Sequence, residues 1–254
     1  NFIQKSNNGT IFQTQKFIGY HLDRKFKNHS LMFIQNNKLI AVFPAALIKR
    51  NNKIILHSHP GTSYGGLIIK NNLTYLIINE IIIMLDEYCI KNKFNSVLFV
   101  QTPHIYYNEL DLSLEYCLKW RGFKEIECYI SHTTKLTSKK NALMLLNKRK
   151  KRYVNQIELS NEFIIKKSSD FEAFYPILLE SKKNYQIKPT HSLVELIKIK
   201  NLFPEDCVLF LSYKNKRVVG GSLILLTNKL VGLLFYNVIL GQYKTTQLAS
   251  YQFY

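Results

Sequence analysis

Cysteine is scarce in this sequence, and the few thiols do not form a metal-binding pattern. Cys89, Cys117, Cys128 and Cys207 lie far apart in hydrophobic surroundings, with no C-x-x-C pair and no histidine at zinc-ligand spacing. We therefore expect reduced cysteines in the protein core and no metal cofactor. The sequence also has no nucleophile-elbow motif and no recognisable Ser-His-Asp or Cys-His arrangement, which disfavours covalent catalysis.

Long uninterrupted apolar runs are missing as well. The most hydrophobic stretches are interrupted by Asn79 and Glu80, and by Asn228 and Lys229. The beginning of the sequence lacks the apolar stretch of a signal peptide. The sequence therefore predicts a cytoplasmic protein without a transmembrane segment.

Acidic residues are few compared with basic ones. The 254 residues include 35 lysines and arginines against 17 aspartates and glutamates, which gives a formal net charge of +18. This excess predicts anionic partners such as phosphorylated donors, nucleotides, RNA or acidic lipid. Lysine and asparagine are also abundant throughout the chain, as an AT-rich genome would make them in any protein. Composition alone therefore leaves both explanations open.

The apolar pattern predicts an α/β protein in which one series of elements occurs twice. The first series is a helix, an antiparallel meander and then alternating helices and strands, over residues 12–26, 30–56, 73–92, 96–100, 106–120 and 123–130. A helix over 138–152 ends in the densest positive cluster, Lys148 to Arg152, and connects to the second series. That series has a strand, two helices and a meander over 163–165, 170–185, 192–200 and 208–240. We expect the second copy to be cut short at Tyr254.

This order of elements resembles the GNAT acyltransferase fold. Two such units in tandem resemble the FemAB-like proteins, which are related to the Fem peptidoglycan aminoacyltransferases. The resembling segments cover nearly the whole chain: Phe12-Gln13-Thr14, 60–66, 149–155, Asp170-Phe171 and 188–192. The resemblance implies an α/β fold with a mixed sheet, built from a GNAT-like unit at 1–137, a basic helical connector at 138–160 and an incomplete second unit at 161–254.

The resemblance implies N-acyl or aminoacyl transfer to a cell-envelope or polysaccharide precursor, such as a sugar nucleotide or muropeptide. The donor would be an acyl-coenzyme A or an aminoacyl-tRNA, and the acceptor an anionic phosphorylated molecule, small or lipid-linked. Residues 241–246 depart from the glycine spacing with which a GNAT loop binds the coenzyme A pyrophosphate. Two other functions stay open: a nucleic-acid-binding protein that uses the basic connector, and a catalytically inactive GNAT-like scaffold.

Three residues of the second unit are the candidate catalytic groups. His191 follows the helix where GNAT-like folds admit the acceptor, so the resemblance makes it the candidate general base. Tyr236 and Asn237 lie in the strand that corresponds to the donor-site strand, where they would protonate a leaving group or orient a carbonyl. The alternatives are helix capping for His191 and ordinary strand alternation for Tyr236 and Asn237.

The first unit offers a candidate binding loop. Ser63, Tyr64, Gly65 and Gly66 could present backbone N–H groups to a phosphate or carbonyl, because glycine lets a ligand approach the main chain. A β-bulge or turn explains the same residues without a ligand. His59 precedes this loop and is a second candidate base, with a structural role as the alternative.

Four cations are candidates for binding acceptor phosphates. Arg149 and Arg152 belong to the positive cluster, and arginine binds phosphate in a bidentate manner. Lys183 would extend the same positive surface, and Lys188 precedes His191. The alternative for the cluster is a solvated helix end whose cations complement the helix dipole.

Overall fold

The computed structural model describes residues 2–21, 26–183 and 185–254. The chain divides into two compact units. The first comprises the chain up to Cys128 together with the loop Thr227–Val231, and the second comprises Tyr129–Leu226 and Gly232–Tyr254. Within the described residues, no helix combines the length and the apolar character needed to cross a membrane.

The first unit is built from two small sheets and two longer helices. Its strands are β1 Lys27–Asn28, β2 Leu31–Gln35, β3 Lys38–Phe43, β4 Ala45–Arg50, β5 Lys53–Ser58, β6 Ile68–Ile69 and β7 Ser96–Leu98. Its helices are α1 Phe2–Lys5, α2 Gln15–Ile18, α3 Tyr75–Lys91 and α4 Ser113–Trp120, with 3-10 turns at Ile11–Gln13 and His104–Tyr106. The sheets have the strand orders β1-β4-β5-β7 and β2-β3-β6, and β5 pairs with β7 in parallel.

Helix α3 forms the centre of this unit because its apolar residues repeat at helical spacing. Ile78, Ile81, Ile82 and Leu85 lie on one face and are fully buried in the same core cluster as the strands. Thr74 caps the helix by accepting from the main-chain N–H of Ile77. The prediction of a helix over 73–92 is thus confirmed.

The loop Thr227–Val231 belongs to the first unit although it joins two strands of the second. The Ile11 N–H donates to the Thr227 carbonyl at 2.8 Å, and the Asn228 amide donates to the Tyr106 carbonyl at 2.8 Å. A segment remote in sequence therefore completes the hydrogen bonding of the first unit.

The second unit has one antiparallel sheet of strand order β11-β10-β9-β8. Its strands are β8 Ile164–Ser168, β9 Cys207–Lys214, β10 Arg217–Leu226 and β11 Gly232–Ile239. Its helices are α5 Lys139–Leu145, α6 Lys148–Ser160, α7 Phe171–Lys183, α8 Leu193–Leu202 and α9 Leu248–Gln252, with a 3-10 turn at Gly241–Thr246. Helix α7 packs closely on the sheet. The Phe174 ring lies so near Gly221 of β10 that a Cβ on this glycine would be 2.9 Å from it. The predicted mixed α/β fold is confirmed.

Three predicted elements of the first unit differ in the structure. The predicted helix over 12–26 is a 3-10 turn followed by the short α2, because Thr14 caps a new helix that Gly19 ends; residues 22–25 lie outside the described residues. The predicted helix over 106–120 begins at Ser113. The predicted strand over 123–130 is not formed, and residues 124–130 are exposed and without ladder partners among the described residues. Strand-forming side chains do not make a strand without a neighbouring edge to pair with.

The positive cluster also lies differently from the prediction. The predicted helix over 138–152 is broken at Leu146, and Asn147 caps α6 by accepting from the Lys150 N–H. The cluster therefore begins a helix instead of ending one. Cations at a helix N-terminus oppose the dipole, so the alternative in which they complement it is wrong.

The cysteines are free thiols. Cys89, Cys117 and Cys207 are buried, as predicted for core residues. Cys128 is exposed, which corrects its predicted place in the core. It lies in the segment 124–130, which forms no strand, and this explains why its hydrophobic sequence context did not lead to burial.

Candidate active site

The second unit brings two of the three candidate catalytic residues into direct contact. The Nδ1 atom of His191 lies 2.7 Å from the Tyr236 hydroxyl oxygen. The two residues are 45 positions apart in sequence, one before α8 and one in β11. His191 is 6% exposed, and its ring also contacts the ring of Phe235 at 4.9 Å between centroids. Tyr236 is half-buried, and an imidazole–phenol pair of this kind can move a proton between its two groups.

The surroundings of Tyr236 determine which group holds the proton. Burial raises the pKa of Tyr236 to about 12, despite opposing hydrogen bonds from the Thr190 side chain and the His191 main-chain N–H. The phenol is therefore protonated at neutral pH. A protonated phenol can donate this hydrogen to His191 Nδ1, which then acts as the acceptor of the shared hydrogen bond.

A capping box holds His191 at the start of α8. The Ser192 hydroxyl accepts from the Glu195 N–H, and the Glu195 carboxylate accepts from the Ser192 N–H at 2.9 Å. Ser192 is therefore the N-cap, which removes the capping alternative for His191. Glu195 is 8% exposed as a residue, and its carboxylate raises the pKa of Tyr236 electrostatically.

A cavity of about 310 Å³ lies in the segment that leads to His191. Its lining residues include the charged Glu180, Lys183 and Lys188 and the apolar Leu179 and Ile187, whereas His191 and Tyr236 are not among them. Both candidate lysines of this region thus face one space. The mixture of charges suits a ligand that carries an anion and an amine.

Asn237 is placed differently from its neighbour Tyr236. Its side-chain oxygen accepts from the Ser222 hydroxyl at 2.9 Å, and its amide donates to the Ala249 carbonyl at 3.2 Å. Successive strand residues point to opposite faces, so Asn237 and Tyr236 project apart. Asn237 connects β10, β11 and α9, and the structure does not bring it to the His191–Tyr236 pair.

The 3-10 turn Gly241–Thr246 follows β11 and contains the residues that depart from the glycine spacing of a pyrophosphate-binding loop. The Gly241 N–H donates to the Glu180 carboxylate at 3.2 Å. A carboxylate at this amide repels a pyrophosphate instead of leaving the N–H for it. The geometry therefore agrees with the missing glycine spacing in residues 241–246.

The candidate binding loop of the first unit is used in packing. The Gly65 N–H donates to the Val100 carbonyl at 2.8 Å, and the Gly65 carbonyl accepts from the Gln13 amide at 3.3 Å. Gly66 has a φ of +73°, and a Cβ there would overlap the side-chain oxygen of Gln101. Both glycines are buried, whereas Ser63 is exposed and the Tyr64 ring contacts Phe12 at 5.6 Å. The local contacts account for both glycines without a ligand.

The two candidate arginines lie on the first turns of α6. The guanidinium groups of Arg149 and Arg152 are 5.7 and 5.4 Å from the centre of the Tyr153 ring. Hydrogen bonds from both arginines lower the pKa of Tyr153. Both arginines are exposed, so their positive charge is presented to solvent.

His59, the second candidate base, is buried in the first unit. Its Nδ1 atom lies 3.1 Å from the Pro60 carbonyl. Burial lowers its pKa, and the nearby His21 and His57 lower it further. The described residues contain no group of three or more histidine, cysteine or acidic side chains that could hold a metal ion.

Sequence reasoning missed three groups of the second unit: Thr190 and Glu195, which act on Tyr236, and Glu180, which binds the Gly241 N–H. Glu195 was detectable, because Ser192-x-x-Glu195 is a capping-box pattern. Thr190 and Glu180 carried no such signal, since their partners Tyr236 and Gly241 are distant in sequence.

Comparison with known proteins gives a structural match without a sequence match. No family model matches this sequence, and no curated protein aligns with it significantly. The crystal structure of FemX superimposes with a TM-score of 0.69 and 11% identity, covering 99% of this chain and 80% of FemX. The chain has the fold of FemX. The sequence resemblance to FemAB-like proteins is thus confirmed at the level of the fold.

A second structure shares this architecture more distantly. It is the C-terminal domain of a protein assigned as a lysylphosphatidylglycerol synthetase from Agrobacterium fabrum, with a TM-score of 0.52 and 5% identity. The match covers 99% of this chain and 70% of that domain. Two structures of the same overall architecture therefore cover nearly the whole chain with very different sequences.

Proposed function

We propose that this chain is an aminoacyltransferase or N-acyltransferase that modifies an amine of a cell-envelope or polysaccharide precursor in the cytoplasm. The observation that carries the proposal is the partly buried hydrogen bond between His191 and Tyr236 in a FemX-like fold. The name of the second structural neighbour, a lysylphosphatidylglycerol synthetase, likewise denotes aminoacyl transfer. We further propose that the chain comprises a GNAT-like unit at 1–137 and an incomplete second one at 161–254, joined by the basic helical connector 138–160.

The candidate pair provides a path for the proton of the acceptor amine. The amine nitrogen attacks the ester carbonyl carbon of the donor, so that a C–N bond forms and the C–O bond to the donor breaks. The Tyr236 oxygen takes the amine proton as its own hydrogen passes to His191 Nδ1. The reverse movement returns a proton to the leaving oxygen. No charged phenolate forms, which matches the raised pKa of Tyr236.

The electrostatic neighbourhood supports this direction of transfer. A proton on buried His191 creates an imidazolium, whose desolvation is unfavourable. The buried carboxylate of Glu195 is close enough to affect Tyr236 and thus offsets part of that penalty. We therefore assign Glu195 as a positioning residue that acts through the pair.

The donor in this proposal is an aminoacyl-tRNA. Its ester bond needs no pyrophosphate-binding loop, and the Gly241 N–H is already bound to Glu180. An acyl-coenzyme A donor finds no support in the turn over 241–246. The exposed arginines Arg149 and Arg152 and the cavity lysines Lys183 and Lys188 are proposed to bind phosphates of the acceptor.

A transfer assay tests the proposal. The protein is incubated with aminoacyl-tRNAs and, separately, acyl-coenzyme A, each with nucleotide-linked muropeptides and sugars, and products are identified by mass spectrometry. Tyr236→Phe and His191→Gln should each lower the transfer rate by about 10² to 10⁴-fold, because each breaks the proton path. Tyr213→Phe is the matched control, since it removes a hydroxyl from β9 of the same unit.

The outcomes separate the three candidate functions. Binding of uncharged RNA with no product from any donor supports a nucleic-acid-binding protein. Binding of neither RNA nor acceptor supports an inactive scaffold. Transfer that persists in both Tyr236→Phe and His191→Gln would refute the assigned pair while leaving the enzyme class intact.

A further inference from the structure

Residues 139–152 form a basic segment with an unusual charge distribution. Half of its residues are lysine or arginine, and none is aspartate or glutamate. The segment comprises α5 and the first turns of α6. Lys139 pairs with Glu158 at 2.8 Å, but among the described residues no carboxylate lies within ion-pair distance of Lys148 to Arg152. A dense and uncompensated positive charge therefore faces solvent.

The same basic segment exposes apolar side chains. Helix α5 has no buried residue among those it contains, although its sequence includes Ala142, Leu143, Met144 and Leu145. Met144 is 63% exposed and Leu145 is 60% exposed. Adjacent large apolar side chains on an exposed helix indicate a surface that another apolar phase covers.

The position of the cations gives a second reason to expect an anionic partner. Lys148 to Lys150 occupy the first turn of α6, where positive charge is unfavourable next to the helix dipole. A surface of many negative charges removes this repulsion along the whole cluster. A soluble polyanion would do so as well, but it would leave Met144 and Leu145 in water.

We infer that the basic segment docks on the surface of an anionic lipid bilayer. The cations contact lipid phosphates, and Met144 and Leu145 insert among the upper acyl carbons, as in interfacial helices that combine both kinds of side chain. The docking brings the second unit to the surface where a lipid-linked acceptor would lie. It goes beyond the proposed transfer, and its test does not involve transfer.

Vesicle flotation of the full chain tests the inference. Vesicles of phosphatidylcholine with phosphatidylglycerol should bind the protein, and vesicles of phosphatidylcholine alone should bind at least about tenfold less. Binding should fall steeply at about 1 M salt, where charges are screened within about 3 Å. Lys150→Glu with Lys151→Glu should lower binding by about tenfold or more. Lys166→Glu with Lys167→Glu, on β8, is the matched control and should retain most of the binding.

The apolar contribution needs a separate variant. Met144→Ser with Leu145→Ser keeps every charge, and it should lower binding to anionic vesicles at least about tenfold while the melting temperature stays unchanged. Equal losses in the 150/151 and 166/167 variants would show attraction by net charge alone and would overturn the inference. Binding to RNA but not to anionic vesicles would also overturn it. Failure of acyl transfer in a protein that binds vesicles would count against the proposed enzyme and leave the docking intact.

Discussion

Gly66→Ala distinguishes a glycine kept for packing from one kept for a ligand. Gly66 has a φ of +73°, a region that residues with a Cβ enter at an energetic penalty. An added Cβ would also overlap the Gln101 side-chain oxygen. Among the described residues, neither polar atom of the Gln101 amide has a hydrogen-bond partner, although both are buried. The substitution therefore strains the backbone and displaces a confined side chain.

The two effects can be estimated separately. A left-handed backbone disfavours alanine by about 1–2 kcal/mol, and overpacking adds about 1–3 kcal/mol, so Gly66→Ala should destabilise the protein by about 2–5 kcal/mol. Gln101→Ala removes an amide without partners and should change the free energy of unfolding by less than about 1 kcal/mol. The double variant should be destabilised by the backbone strain alone, which is about 1–2 kcal/mol. The difference is a coupling energy between the two positions.

Urea unfolding of the four proteins, followed by circular dichroism, measures this cycle. Transfer or ligand binding is measured on the same variants at a temperature where all are folded. If Gly66→Ala kept the stability of the unmodified chain but lost ligand binding, Gly66 would serve the approach of a ligand and the packing argument would be refuted. Additive effects in the double variant would refute the role of Gln101.

Three further predictions concern single side chains. Burial raises the pKa of Tyr236 to about 12, so a difference titration against Tyr236→Phe should show one late-ionising phenol. Because this phenol ionises first in the unfolded chain, the free energy of unfolding should fall from about pH 10 upward, and it should fall more in the unmodified chain than in the variant. Burial lowers the pKa of His59, so on acidification the imidazole takes up a proton in the unfolded chain before it does so in the folded one. The free energy of unfolding should therefore fall as the pH drops below about 6.5, and His59→Gln should reduce that fall. Asn237→Leu leaves the Ser222 hydroxyl and the Ala249 carbonyl without a partner, so chemical unfolding should show a loss of about 1–3 kcal/mol.

The regular elements were predictable where local signals and packing agree. Helix α3 and helix α8 have apolar faces and side-chain caps, and both lie within a few residues of their predicted bounds. The predicted strand over 123–130 had the right side chains but depended on a partner edge that no local pattern reveals. The predicted helix over 12–26 failed because threonine caps and Gly19 divide it.

The sequence allowed single candidate residues to be chosen, but it did not predict which of them lie in contact. His191 and Tyr236 were each chosen from the family resemblance, and their 2.7 Å contact depends on how α8 and β11 meet in the fold. Asn237 was chosen with Tyr236, but strand alternation turns it to other partners. The participation of these residues in catalysis stays a prediction.

The loop Thr227–Val231 affects how this protein can be divided for experiments. A gene cut after Cys128 would yield a first fragment whose Ile11 amide and Tyr106 carbonyl have lost their partners. The second fragment would carry a β10–β11 hairpin with a tip detached from the unit to which it belongs. Expression of either half alone would therefore test an incomplete module, and the two halves should be produced together or kept in one polypeptide.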